Sequence, residues 1–70
     1  MAVVKIIEIM GVSTESFSDA VRQAVAEAAK SIRGISGVEV VKSTAEVDNN
    51  QISEYHVTVR IAFPVERAEG

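Results

Sequence analysis

Seventy residues make a single domain, and a chain this short buries only about 60% of the surface its unfolded form exposes, so a lone core is marginal. No cysteine is present, which excludes disulfides and thiolate metal sites, and the single histidine, His56, argues against a histidine-built metal site within one chain. A net charge of −3 with both signs interspersed provides no basic stripe for nucleic acid, and no apolar run is long enough for a membrane span, which leaves oligomerisation as the means of stabilising the domain.

Residues 2–10, AVVKIIEIM, are rich in Val and Ile and read as a strand. Val3, Ile7 and Ile9 fall on one face, and Val4, Ile6 and Met10 on the other, so both faces are expected to be at least partly covered. Gly11 is read as the break after this strand, and Ser13 or Thr14 as the cap of the helix that follows. Glu15 and Asp19 put negative charge in its first turns. Phe17, Val21, Ala24, Val25, Ala28 and Ile32 recur at helical spacing, while Lys30, Arg33 and Gly34 form the expected stop. Ala20, Ala24 and Ala28 lie one turn apart, which lets the helix approach closely whatever it covers.

From Val38 the strand pattern returns, with Val38, Val40 and Lys42 expected on one face and Glu39 and Val41 on the other. The residues after Val47, DNN, are a turn, because Asp and Asn tolerate left-handed backbone. Then ISEYHVTVRIAF alternates cleanly. Tyr55, Val57, Val59, Ile61 and Phe63 form one face, and Glu54, His56, Thr58, Arg60 and Ala62 the other, before Pro64 ends the strand. The tail, residues 65–70, is expected to be loosely held.

The fold class is therefore α+β. A β-α-β-β chain places its third strand between the other two, giving a three-stranded antiparallel sheet of order 1-3-2 with the helix on one face. The other face, carrying Val4, Ile6, Val41, Thr58 and Ala62, is expected to be covered by a second subunit. On that face Arg60 is a candidate for interfacial ion pairing with Glu8, Glu39 or Glu54. Glu46 and Asp48, beside Asn49 and Asn50, lack the spacing and closing glutamate of a calcium loop and read as part of the turn. No nucleophile accompanies the lone histidine, so no catalytic constellation is present and no metal site is assigned.

The helix entry G-V-S-T-E-S-F at 11–17, the alanine-spaced helix, V-E-V at 38–40 and Tyr55 followed by V-T-V-R-I-A-F at 57–63 resemble the dodecins over residues 3–63. The resemblance implies a hollow homo-dodecamer that binds flavins, riboflavin or FMN, as a store or scavenger, without turnover. It also implies that the tryptophan on which the flavin stacks falls at Gly37, and the glutamine that hydrogen-bonds the flavin ring at His56. Both departures fall on the ligand site, so flavin binding is expected to be weakened or altered; the other reading is a structural shell or interaction protein with no flavin. Several copies of His56 brought together by symmetry would provide a metal-binding or pH-sensitive contact. The N-terminus has no signal-peptide pattern and no cysteine argues for an oxidising compartment, so a cytoplasmic location is expected.

Overall fold

The computed structural model describes residues 3–65, and the elements follow in the order β1 (Val4–Ser13), α1 (Phe17–Ala29), β2 (Gly37–Asp48) and β3 (Gln51–Pro64). The strands form one antiparallel sheet in the order β1-β3-β2, as the pattern and connections require. Ala2, expected in the strand, and residues 66–70 of the expected loose tail lie outside the described residues. Val65, the last of them, donates its N–H to the Val3 carbonyl at 2.9 Å.

Gly11 does not break the first strand. It is buried inside β1, opposite Val57, at the point where α1 crosses the sheet. A Cβ there would stand 2.0 Å from the Ala20 carbonyl oxygen and 3.1 Å from the Ala24 Cβ. The missing side chain lets a helix backbone rest almost directly on a strand. Ala20, Ala24 and Ala28 complete that approach from the helix side and are all buried, against Val57, Val59 and Ile61 of β3. Ile7 and Ile9 of β1 and Val21, Val25 and Ile32 pack around this core. At one end of the helix Phe17 meets Tyr55 edge-on, with ring centroids 4.8 Å apart, a favoured aromatic geometry.

The helix cap is Ser16, rather than Ser13 or Thr14. Its backbone is extended (φ −169°, ψ 166°), and its Oγ accepts the Asp19 N–H at 3.0 Å, satisfying one orphan helix donor. Ser13, still in β1, ties the incoming loop instead: its Oγ accepts the Glu15 N–H at 2.8 Å and donates to Asp19 Oδ2 at 2.7 Å. Glu15 thus precedes the helix, and Asp19 is the acidic residue of its first turn. The helix also ends earlier than its apolar spacing suggests, at Ala29 with Lys30 as C-cap and no basic residue in its last turn. The Lys30 ammonium pairs with Glu27 at 3.0 Å. Ile32 N–H still bonds the Ala28 carbonyl at 3.0 Å, which keeps Ile32 on the apolar stripe, and Gly34 turns the chain back with φ +72°.

Asp19 also accepts a hydrogen bond from Gln23 at 3.2 Å. The Ser13 hydroxyl first, then Gln23 and the nearby Arg22 charge, favour its ionised form and hold its pKa below the ordinary aspartate value. A depressed carboxylate contributes stability that is fully present above its unfolded pKa, about 3.9, and is lost as the pH falls through the lower folded value. Asp19→Asn is expected to flatten the acid side of the melting-temperature profile between about pH 5 and pH 2. Parallel profiles for the variant and the parent in scanning calorimetry would refute that linkage.

The β2–β3 hairpin turns at Asn49 and Asn50, both with positive φ (56° and 62°), the conformation expected of a tight two-residue turn. Two irregularities then set its register. Ser53 is left unpaired between the Val47–Ile52 and Glu46–Glu54 pairs, and Val41 is left unpaired between Val40–Val59 and Lys42–Thr58. The second bulge corrects one expectation: Lys42 pairs with Thr58 and so leaves the face of Val38 and Val40. Periodicity alone carries no signal of such an extra residue.

Candidate ligand site

Because α1 lies on β1 and β3, the whole opposite face of the sheet is open. Val4, Ile6, Met10 and Val12 line it along β1, with Ile6 58% and Met10 52% exposed. Across its middle runs a ladder of charge. Arg60 is opposite Glu8 on one side and Glu39 on the other, with Nε 3.1 Å from the Glu8 carboxylate and a terminal nitrogen 3.9 Å from that of Glu39. Three of the four residues singled out as ion-pair candidates therefore meet within one chain; Glu54 is not among them. The group is half exposed, so each pair is worth at most a few tenths of a kcal/mol up to about 1 kcal/mol.

Gly37 opens β2 opposite Ala62, which in turn is opposite Ile6. A side chain at this position would therefore project over the open face, beside Ala62 and Ile6. An added Cβ meets nothing within 4 Å, and the backbone is not in the left-handed region. Nothing in the strand geometry demands glycine there. The preceding residue anchors this corner, since Ser36 N–H bonds the Ala62 carbonyl at 2.8 Å.

His56 lies on the same open face at the far end of the three-stranded part of the sheet, opposite Val12 on one side and Thr44 on the other. Six residue steps along β3 separate it from Ala62, or about 20 Å of strand. One chain thus puts Gly37 and His56 on one face without bringing them together. The ring is 21% exposed, and its Nε2 is 3.0 Å from Glu54 Oε1. Glu46, opposite Glu54, completes a cluster in which one ligating atom from each of Glu46, Glu54 and His56 lies within 4.8 Å of the others. Sequence reasoning did not connect Glu46 with this group. A regular hairpin built on Asn49–Asn50 would place Glu46 opposite Ser53, and only the bulge at Ser53 brings it to Glu54. The one available signal was the pair of acidic residues on either side of the turn.

The dodecin family profile matches residues 3–66. The chain belongs to the dodecin family. Comparison with curated proteins returned no match. Among solved structures, a Trp-to-Phe variant of Thermus thermophilus dodecin is similar at 28% identity and TM-score 0.92, covering 96% of this chain and all of that one. Dodecin from Streptomyces coelicolor superposes with TM-score 0.91 at 24% identity over 96% of both chains, a likeness of fold. A Mycobacterium tuberculosis calcium dodecin, described as calcium-chelating with a novel calcium-binding site, matches at 28% identity and TM-score 0.80 over 97% of both chains. The resemblance read from the helix entry and third strand is thereby established, as is the β-α-β-β architecture. Dodecins are small flavin-binding proteins without enzymatic turnover, and they form oligomers. No helix among the described residues of this dodecin is long and apolar enough to cross a membrane.

Proposed function

We propose that this dodecin assembles as a hollow dodecamer of identical chains and binds or stores a small molecule, with the family's flavin contact altered at Gly37 and His56. The observation that carries the reading is the bare, unobstructed position at Gly37 on a sheet face whose apolar residues no part of the described chain covers. Ile6 and Met10, more than half exposed, favour burial against another copy. The described residues of one chain enclose no pocket, so a flavin-sized ligand needs walls from more than one chain. Within such a site, His56 is the donor that remains for a flavin carbonyl, and the stacking ring is what has been lost. A cytoplasmic location belongs to the same reading.

The second reading, a shell without flavin, is favoured by the same glycine, because an aromatic platform is worth on the order of 1 kcal/mol per contact and two-fold symmetry removes it twice. Two measurements separate the possibilities. Light scattering at micromolar protein is expected to give a mass of about 90 kDa, twelve copies of a 7.5 kDa chain; a monomer would overturn the assembly. Titration of riboflavin or FMN is expected to show quenching, weaker than for a dodecin that retains the tryptophan. Unchanged fluorescence at micromolar protein would exclude the flavin reading and leave the shell.

A further inference from the structure

The hairpin end of the open face carries two carboxylates, Glu46 and Glu54, that the flavin reading does not use, converging on His56. Glu46 and Glu54 are directly opposite on adjacent strands, and like charges in that relation destabilise a sheet. Among the described residues, no lysine or arginine pairs with either carboxylate; Glu54 has only the imidazole of His56, at 3.0 Å. The three groups nonetheless converge, with one ligating atom of each within 4.8 Å of the others. Two devices bring them there: the Ser53 bulge, which moves Glu46 from Ser53 to Glu54, and the two-residue strand repeat, which puts His56 and Glu54 on one face. The Ser53 hydroxyl donates to the Glu46 carbonyl at 3.3 Å and so pins the bulge that sets the geometry.

We propose that Glu46, Glu54 and His56 form a divalent transition-metal site within each chain, with zinc as the best-fitting ion. Two carboxylate oxygens and an imidazole nitrogen are a borderline donor set, suited to zinc and its neighbours, whereas calcium and magnesium take oxygen ligands. Ligating atoms held by one small metal at about 2.0–2.2 Å are separated by about 3–4 Å, so a closure of under about 2 Å converts the present cluster into a site. The move lies within reach of the Glu46 side chain, which is exposed. The ion would take the place of the His56–Glu54 contact, cancel the repulsion between the opposed glutamates and leave a coordination position for water. The partly buried His56 and the exposed Glu46 make the site open on one side.

The test uses the full-length assembled protein, stripped with chelator and titrated with Zn²⁺ by calorimetry, with Co²⁺ absorption as the readout of coordination. One Zn²⁺ per chain is expected, with visible Co²⁺ bands of four- or five-coordinate intensity. Glu46→Gln and Glu54→Gln are each expected to weaken Zn²⁺ at least tenfold, and Asp48→Asn, on the same hairpin but outside the cluster, to leave it unchanged. Absence of Zn²⁺ uptake, wild-type affinity in Glu46→Gln, equal loss in Asp48→Asn, or calcium bound in preference to zinc would each overturn the site. Glu46→Gln titrated with riboflavin keeps the two readings apart, since it is expected to lose metal and to quench flavin as the parent does.

Discussion

Gly11→Ala is expected to be the most damaging single-methyl substitution in this chain. The added Cβ would occupy a point 2.0 Å from the Ala20 carbonyl oxygen, and the Ala24 methyl stands 3.1 Å away. Neither neighbour is the free end of a flexible side chain, so α1 as a whole has to lift from β1. Lifting it opens the contact of Ala20, Ala24 and Ala28 with Val57, Val59 and Ile61. Overpacking of a tight interior costs typically 1–3 kcal/mol, and a clash with backbone sets this case at the upper end, about 3 kcal/mol. For a small domain that is a large share of the total, which is about 5–15 kcal/mol in ordinary proteins. Urea melts at matched protein concentration should show the midpoint falling for Gly11→Ala and staying within error for Gly37→Ala, whose Cβ meets nothing. A neutral Gly11→Ala would mean that the helix does not rest on the strand as closely as described.

Gly37→Trp carries the largest expected gain of function. The position lies on the open face beside Ala62 and Ile6, its backbone suits any residue, and its surroundings are empty to 4 Å. The variant should therefore fold and assemble as the parent does. If the flavin reading of the site is right, each restored stacking contact adds on the order of 1 kcal/mol, and rings from two chains flanking a flavin pair add more. Since 1.4 kcal/mol is a factor of ten in affinity, riboflavin should bind roughly tenfold tighter or better. Fluorescence quenching measures this directly. A Gly37→Trp protein that stays assembled yet quenches no better than the parent would show that the assembly does not present this edge to a flavin.

Much of the fold is legible in the sequence. The alternation from Tyr55 to Phe63 sorted β3 into a buried and an open face without error: Val57, Val59 and Ile61 are fully buried, while Arg60 faces outward to Glu8 and Glu39. The alanine spacing of α1 announced a close approach, and those alanines are the helix's buried residues. Gly11 was misread because a missing side chain is the same letter whether it marks a break or a contact; only the position of Ala20 distinguishes them. The helix cap moved from Ser13 or Thr14 to Ser16 for a similar reason. Three hydroxyl residues within four positions all suit a cap, and the choice depended on where β1 released the chain.

The site divides along the same line. By itself the sequence determined the element order, the 1-3-2 sheet, the open apolar face and the resemblance that singles out Gly37 and His56, because side-chain periodicity and helical spacing are local and repeat. Only the tertiary structure decided that Gly37 and His56 stand at opposite ends of that face, that Arg60 meets Glu8 and Glu39 within one chain, and that Glu46 faces Glu54. Those facts follow from register, which a single extra residue at Ser53 or Val41 shifts by one. Each bulge is set by how two strands pair across the sheet, and pairing between strands has no period along the chain to announce it.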